Sequence, residues 1–194
     1  MQHLIVATRN AHKTREIQRI LGADFAVSDL SADPETAETV ESGKTFEENA
    51  VLKATAASRE LPGLVVADDS GLEVDALGGA PGIYSARYAG QNATDKQNMD
   101  KLLAELARIE RAKRSSRFCC VIALAREGKL LGKFEGVVEG MIVDSPRGRG
   151  GFGYDPVFMP TESGKTFGQL SPTEKDRVSH RARALEKLRV RLSS

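Results

Sequence analysis

A short apolar run, Leu4 to Ala7, breaks at Thr8-Arg9-Asn10 into a stretch of helical periodicity, and a second apolar run follows at Phe25–Val27. A run this short reads as a buried strand. The helical stretch, 11–21, sets Ile17, Ile20 and Leu21 on one face behind Asn10 as N-cap. Strand, helix and strand in such close order commit the chain to an α/β architecture. The alternation continues with a helix over 46–61, carried by Phe46, Ala50, Ala54, Ala57 and Leu61 and stopped by Pro62-Gly63. A strand at 64–67 then ends in Asp68-Asp69-Ser70-Gly71.

Further along, Thr94 and Gln97 form a capping box that opens a helix to about Ile109. Two long strands, 117–126 and 129–143, flank a Glu127-Gly128 turn. The glycine cluster 148–153 leads through Tyr154-Asp155-Pro156 to a short strand at 157–159. Ser171-Pro172-Thr173-Glu174 opens a last helix reaching Leu192. A helix between the early strands and a hairpin later predict a mixed sheet. No repeat or linker divides residues 1–194, which read as a single domain.

The 194 residues can bury a core without staples. Lys and Arg number 28 against 27 Asp and Glu, a net charge of +1 that excludes a general polyanion binder and makes any phosphate site local. Only the segment from Lys175 to Arg191 is rich in Lys and Arg. Adjacent Cys119 and Cys120 point to opposite faces of a strand, so neither a disulfide nor a zinc site is expected. They read as core fillers in a reducing compartment. The start, Met-Gln-His-Leu-Ile-Val-Ala-Thr, has no charged leader, and no apolar run is long enough to span a bilayer. A cytoplasmic protein binding neither membrane nor nucleic acid is expected.

Several residues look like chemistry. Thr8-Arg9-Asn10-Ala11-His12-Lys13 crosses from strand to helix, where free N–H groups suit phosphate. Lys13 sits in the first turn, an unfavourable place for a cation that a bound anion would relieve. The alternative is a plain cap with a solvated lysine. Lys53 lies on the buried face of its helix, as a snorkelling side chain or a phosphate contact. Projection at 100° per residue puts Arg181 inside the apolar stripe of Val178, Leu185, Leu188 and Leu192, with His180 beside it. An inward arginine is either paired in a salt bridge or lines a cleft. Asp68 and Asp69 at a strand end are placed for a ligand or metal, or form a turn; hard oxygens favour Mg²⁺. Glu41 adds a carboxylate on a loop.

Two motifs are decoys. Gly148-Arg149-Gly150-Gly151-Phe152-Gly153 matches the dinucleotide fingerprint, but Pro156 prevents the helix which that motif requires. Gly-Lys-Thr occurs at 43–45 and 164–166, yet Glu38 and Met159 stand where the P-loop needs glycine. The glycine cluster instead reads as a loop presenting Phe152 and Tyr154 for stacking on a base.

Six motifs in order then carry a resemblance across nearly the whole chain. They are Thr-Arg-Asn-Ala-His-Lys at 8–13, Glu-Ser-Gly-Lys-Thr-Phe-Glu-Glu-Asn-Ala at 41–50, Ala-Asp-Asp-Ser-Gly-Leu at 67–72, Gly-Gly-Ala-Pro-Gly-Ile-Tyr-Ser-Ala-Arg-Tyr at 78–88, Gly-Phe-Gly-Tyr-Asp-Pro at 151–156 and Ser-His-Arg-Ala at 179–182. The sequence resembles the inosine triphosphate pyrophosphatase family, also called dITP/XTP pyrophosphatases. The resemblance implies an elongated α/β fold: a long mixed β-sheet with two α/β lobes flanking a central substrate cleft, in a homodimer. It implies hydrolysis of ITP, dITP, XTP and dXTP to the monophosphate and pyrophosphate, cleansing the nucleotide pool, with Mg²⁺ as cofactor. Relatives acting on other modified nucleotides, or a nucleotide-binding module without turnover, are the alternatives.

By the same resemblance, Thr8, Arg9, Asn10, Ala11, His12 and Lys13 form the triphosphate cradle, with Asn10 and Lys13 as donors, and Lys53 is a second phosphate contact. Asp69 is the catalytic carboxylate and, with Glu41, holds the metal. Ser70 contacts substrate. Phe152, Gly153, Tyr154, Asp155, Lys175, His180 and Arg181 form the nucleoside pocket. Lys175, Arg181 and protonated His180 would donate to a 6-oxo group, and Arg181→Ala is expected to cost activity far more than stability.

Overall fold

The structure, a computed structural model, describes residues 2–37 and 39–193; Glu38, the residue that breaks the first P-loop match, lies outside them. The elements are β1 (Gln2–Val6), α1 (Ala11–Leu21), β2 (Phe25–Asp29), α2 (Phe46–Glu60), β3 (Leu64–Val74), α3 (Asp95–Leu106), β4 (Ser115–Arg126), β5 (Lys129–Ile142), β6 (Phe158–Pro160), α4 (Pro172–Val178) and α5 (His180–Leu192). The strands are hydrogen-bonded in the order β2-β1-β3-β4-β5-β6. β1 runs parallel to both β2 and β3, whereas β5 and β6 are antiparallel, so the sheet is mixed as expected.

The chain divides into two compact units assembled from interleaved segments. The first takes residues up to Asp69, Cys120–Gly136 and everything from His180 onward; the second takes Ser70–Cys119 and Val137–Ser179. In the first, α1 and α5 cover the strands, and Leu4, Val6, Ile17, Leu21, Val66, Ile122, Leu185 and Leu188 close the core. Both helices present apolar residues at helical spacing, and burial of such a face is what stabilises a helix of this length. The second unit is built round Leu72, Leu102, Leu106, Val138 and an aromatic cluster. There Phe118 meets Phe158 edge-on at 4.7 Å and stacks on Phe167 at 5.9 Å.

Two elements depart from expectation. β3 does not stop at Ala67 but runs through Asp68-Asp69-Ser70-Gly71 to Val74. Its carboxylates therefore lie within a strand. They still stand beyond the end of neighbouring β1, whose last ladder partner is Val66. The last helix is two helices, because Ser179 is extended at φ −72 and ψ 157, ending α4 before α5 begins.

Candidate active site

The turn into α1 is organised by Asn10. Its side-chain oxygen accepts from the backbone N–H of His12 at 2.9 Å and of Lys13 at 3.3 Å. Its own N–H donates to Thr8 Oγ1 at 3.1 Å. These bonds use amides that a helix start otherwise leaves open. Arg9 turns away from the helix. Its guanidinium donates to the carbonyls of Leu30 at 2.9 Å, Pro34 at 3.3 Å and Thr36 at 2.8 Å, so it ties down the loop after β2. Ala11 and His12 are exposed.

Lys13, whose first-turn position looked unfavourable, is answered by protein: its Nζ lies 2.6 Å from Asp68 Oδ1. Asp68 Oδ2 also accepts from Arg181 Nε at 2.8 Å and faces Cys120 Sγ at 3.2 Å. Arg181, only 1% exposed, extends its Nη1 to Glu16 Oε2 at 2.5 Å. Burial opposes the charge on Asp68, but Arg181 and Lys13 hold its carboxyl well below the usual carboxylate range.

Beside this cluster Lys53 bridges two carboxylates. Its Nζ is 2.7 Å from Asp69 Oδ1, 2.9 Å from Glu41 Oε1 and 3.1 Å from the Asp68 carbonyl. The side chain does not snorkel to solvent. Burial disfavours its charge, yet Asp69 and Glu41 outweigh that and its pKa is raised. Asp69 behaves otherwise: burial pushes its carboxyl up, Lys53 and Lys13 pull it back, and the Glu41 charge adds to the rise, leaving it raised. Neighbouring aspartates in one strand are thus driven in opposite directions, the arrangement in which acid–base roles separate.

Among these linked residues four carboxylates (Glu16, Glu41, Asp68, Asp69) meet three cationic side chains (Lys13, Lys53, Arg181). The excess is negative. Among the described residues no three His, Cys, Asp or Glu are grouped to hold a metal ion. Glu41 and Asp69 instead offer two hard oxygen donors on one shared cation, Lys53 Nζ. That set fits a divalent ion that keeps most of its water and takes only one or two protein carboxylates.

The second unit holds Ser70, Phe152–Asp155 and Lys175. Lys175, 4% exposed, pairs with Asp155 Oδ2 at 2.6 Å and lies 4.9 Å from the Phe152 ring centroid. The same Asp155 oxygen accepts from Phe152 N–H at 2.9 Å, and the Asp155 carbonyl accepts from Gly168 N–H at 2.8 Å. Asp155 therefore shapes the glycine loop from within. Gly151, at φ +72, has no room for a side chain, since a Cβ there would sit 1.9 Å from Asp155 Oδ2. Tyr154 is buried and donates to the Ser85 carbonyl at 2.9 Å, which makes it a support and not an exposed stacking surface. Ser70 is half-buried, and His180 is buried in the first turn of α5, in the first unit.

The structure thus gathers Lys13, Glu41, Lys53 and Asp69 in one unit and Phe152, Asp155 and Lys175 in the other. It directs Arg9 to a loop and Arg181 to carboxylates. Sequence reasoning missed Glu16 and named Asp68 only as half of a pair. A glutamate beside Ile17 on the apolar face of α1 was the available signal, since a carboxylate is buried there only with a partner.

The model of the Ham1 family matches residues 4–191. A dITP/XTP pyrophosphatase of Geobacillus kaustophilus is 49% identical over 189 residues, covering 97% of this chain and 93% of its own length. One of Geobacter sulfurreducens is 50% identical over 194 residues, covering 99% and 97%. The solved structure of a HAM1 protein from Coxiella burnetii superposes with a TM-score of 0.88 at 40% identity, over 100% of this chain and 99% of that one. With near-complete coverage in sequence and in fold, the chain belongs to the Ham1 family.

Proposed function

We propose that this protein hydrolyses deaminated purine nucleoside triphosphates, ITP, dITP, XTP and dXTP, to the nucleoside monophosphate and pyrophosphate. The observation that carries the reading is the Glu41–Lys53–Asp69 bridge, with Lys13 at the start of α1 held on neighbouring Asp68. It sets lysines for phosphate beside a carboxylate whose raised pKa suits a proton acceptor. The family names of the relatives support the same substrate class.

The reaction we propose forms a bond from a water oxygen to the α-phosphorus and breaks the bond from that phosphorus to the bridging oxygen, so pyrophosphate leaves. Asp69 accepts the water's proton. Lys13 and Lys53 neutralise phosphate charge, exchanging carboxylate partners for phosphate oxygens. Glu41 and Asp69 would hold Mg²⁺, which supplies further neutralisation of the triphosphate when bound. With ¹⁸O water, label is expected in the monophosphate; label in pyrophosphate would refute attack at the α-phosphorus.

The base reading rests on Phe152 as a stacking face and on Lys175, an ammonium donor paired with Asp155 beside that ring. A 6-oxo group is an acceptor for such a donor, whereas the 6-amino group of adenine is itself a donor and offers it no acceptor. Discrimination of about 10⁴ is attainable this way. His180 is a second donor in the proposal. Arg181, as placed here, serves the carboxylates. We further propose a homodimer working in the cytoplasm; among the described residues no helix is long and apolar enough to cross a membrane.

The test is pyrophosphate release from dITP, XTP, dGTP and dATP with Mg²⁺, comparing wild type with Asp69→Asn. Turnover of dITP and XTP over dGTP and dATP is expected, with the variant reduced by about 10²-fold or more. Equal turnover of all four would refute the substrate class. Full activity in the variant would refute the role of Asp69. Binding without turnover in the wild type would favour a nucleotide-binding module.

A further inference from the structure

We infer that Asn49, outside the set of groups assigned above to substrate or metal, is a positioning residue for the carboxylate of Glu41; the inference rests on the reading of Glu41 as a metal ligand. Asn49 lies in the first turns of α2, one turn before Lys53, and is completely buried. Its Oδ1 accepts from the backbone N–H of Gly43 at 2.9 Å. That bond fixes the amide's orientation, because Gly43 N–H needs an acceptor. It leaves Nδ2 buried without a hydrogen-bond partner among the described residues.

An orphaned buried donor costs about 1–3 kcal/mol. A leucine of similar size would avoid that cost, so packing alone does not account for an amide here. The bond to Gly43 does. Gly43 stands two residues after Glu41, and the turn between them is drawn hard against α2. A Cβ on Gly43 would lie 2.7 Å from Asn49 Oδ1 and 2.7 Å from Glu48 Cβ. Glu48 seals the same turn by accepting from Lys44 N–H at 2.6 Å, while Thr45 caps the helix through Glu48 N–H at 3.1 Å. Glu41 is otherwise on a loop; the Asn49 bond docks that loop on a helix and brings Glu41 Oε1 to Lys53 and the Asp69 site. Groups that orient a metal ligand without touching the metal carry much of a site's affinity.

The experiment titrates Mn²⁺ into substrate-free protein and follows free ion by electron paramagnetic resonance, alongside the Mg²⁺ dependence of dITP hydrolysis. Asn49→Leu is expected to weaken Mn²⁺ binding by about 10–100-fold and to raise the Mg²⁺ concentration at half-maximal rate equally, with kcat recovered at saturating Mg²⁺. Asn49→Asp, which keeps the acceptor, should bind Mn²⁺ more tightly than Asn49→Leu. Gly43→Ala, which disturbs the same contact from the loop side, should reproduce the Asn49→Leu defect and carries the test if that variant does not fold. Wild-type Mn²⁺ affinity in folded Asn49→Leu or Gly43→Ala would overturn the inference. Glu41→Gln separates the two failures. If it abolishes Mn²⁺ binding while Asn49→Leu leaves binding intact, only the positioning role falls; if it too binds normally, the assignment of Glu41 falls and the inference with it.

Discussion

Arg181 spends its guanidinium on Asp68 and Glu16, all three buried. Removing the cation takes the guanidinium from Glu16 and leaves Asp68 to Lys13, and breaking a buried pair in this way costs about 3–5 kcal/mol. Arg181→Ala is therefore expected to lower stability by that amount in urea unfolding. The sequence led to the expectation that activity would fall far more than stability; a projection onto a helix face tells that a side chain points inward, not what it meets. Cys119 gives a second residue-level test. Burial, with Glu73 close by, pushes its thiol up to about 12. The native protein keeps this proton while the unfolded chain loses it near the ordinary thiol value of about 8.5. The contribution to stability is full below about 8.5 and is lost as pH rises from there towards 12. Alkylation of Cys119 at pH 8 is expected to be slow until the protein is unfolded, and rapid native labelling would contradict the raised pKa of this half-buried thiol.

At the level of elements, α4 is short and depends on its ends. Ser171 accepts from Glu174 N–H at 3.3 Å, and the Glu174 side chain returns to Ser171 N–H at 2.7 Å. Ser171→Ala should cost about 1 kcal/mol. Since α4 carries Lys175, the KM for dITP should rise with little change in kcat; an unchanged KM would detach Lys175 from substrate. Such caps also explain what was legible beforehand. Asn10, Thr94 and Ser171 mark helix starts with side chains that act within a few residues, and each start is where the sequence put it. The apolar spacing of α1 and α2 was equally local. The continuation of β3 through Asp68 and Asp69 was not, because charged residues inhabit a buried strand only when distant partners such as Arg181 and Lys53 reach them. The break at Ser179 likewise leaves no proline or glycine to announce it. In the site, residue types singled out the side chains proposed for chemistry, whereas the opposite shifts of Asp68 and Asp69 emerged only from their neighbours.

For the molecule as a whole, the two units close separate cores, and the first carries the full proposed metal site. On that reading Mg²⁺ at 100 times its Kd should raise stability by about 2.7 kcal/mol, seen as a thermal shift absent in Glu41→Gln. An equal shift in the variant would place the ion elsewhere. The bridge from Lys53 to Glu41 and Asp69 has a consequence for the protein's life before it meets a nucleotide. Two carboxylates converging on one spot would repel each other and loosen the loop that bears Glu41. The lysine supplies their counter-ion from the chain itself. Folding is thereby uncoupled from the supply of metal, unlike domains that collapse only around their ion. If the proposed Mg²⁺ dependence holds, a chelator should silence this protein without unfolding it, and a newly made chain can reach its native form in a cell short of magnesium and wait there, complete but idle.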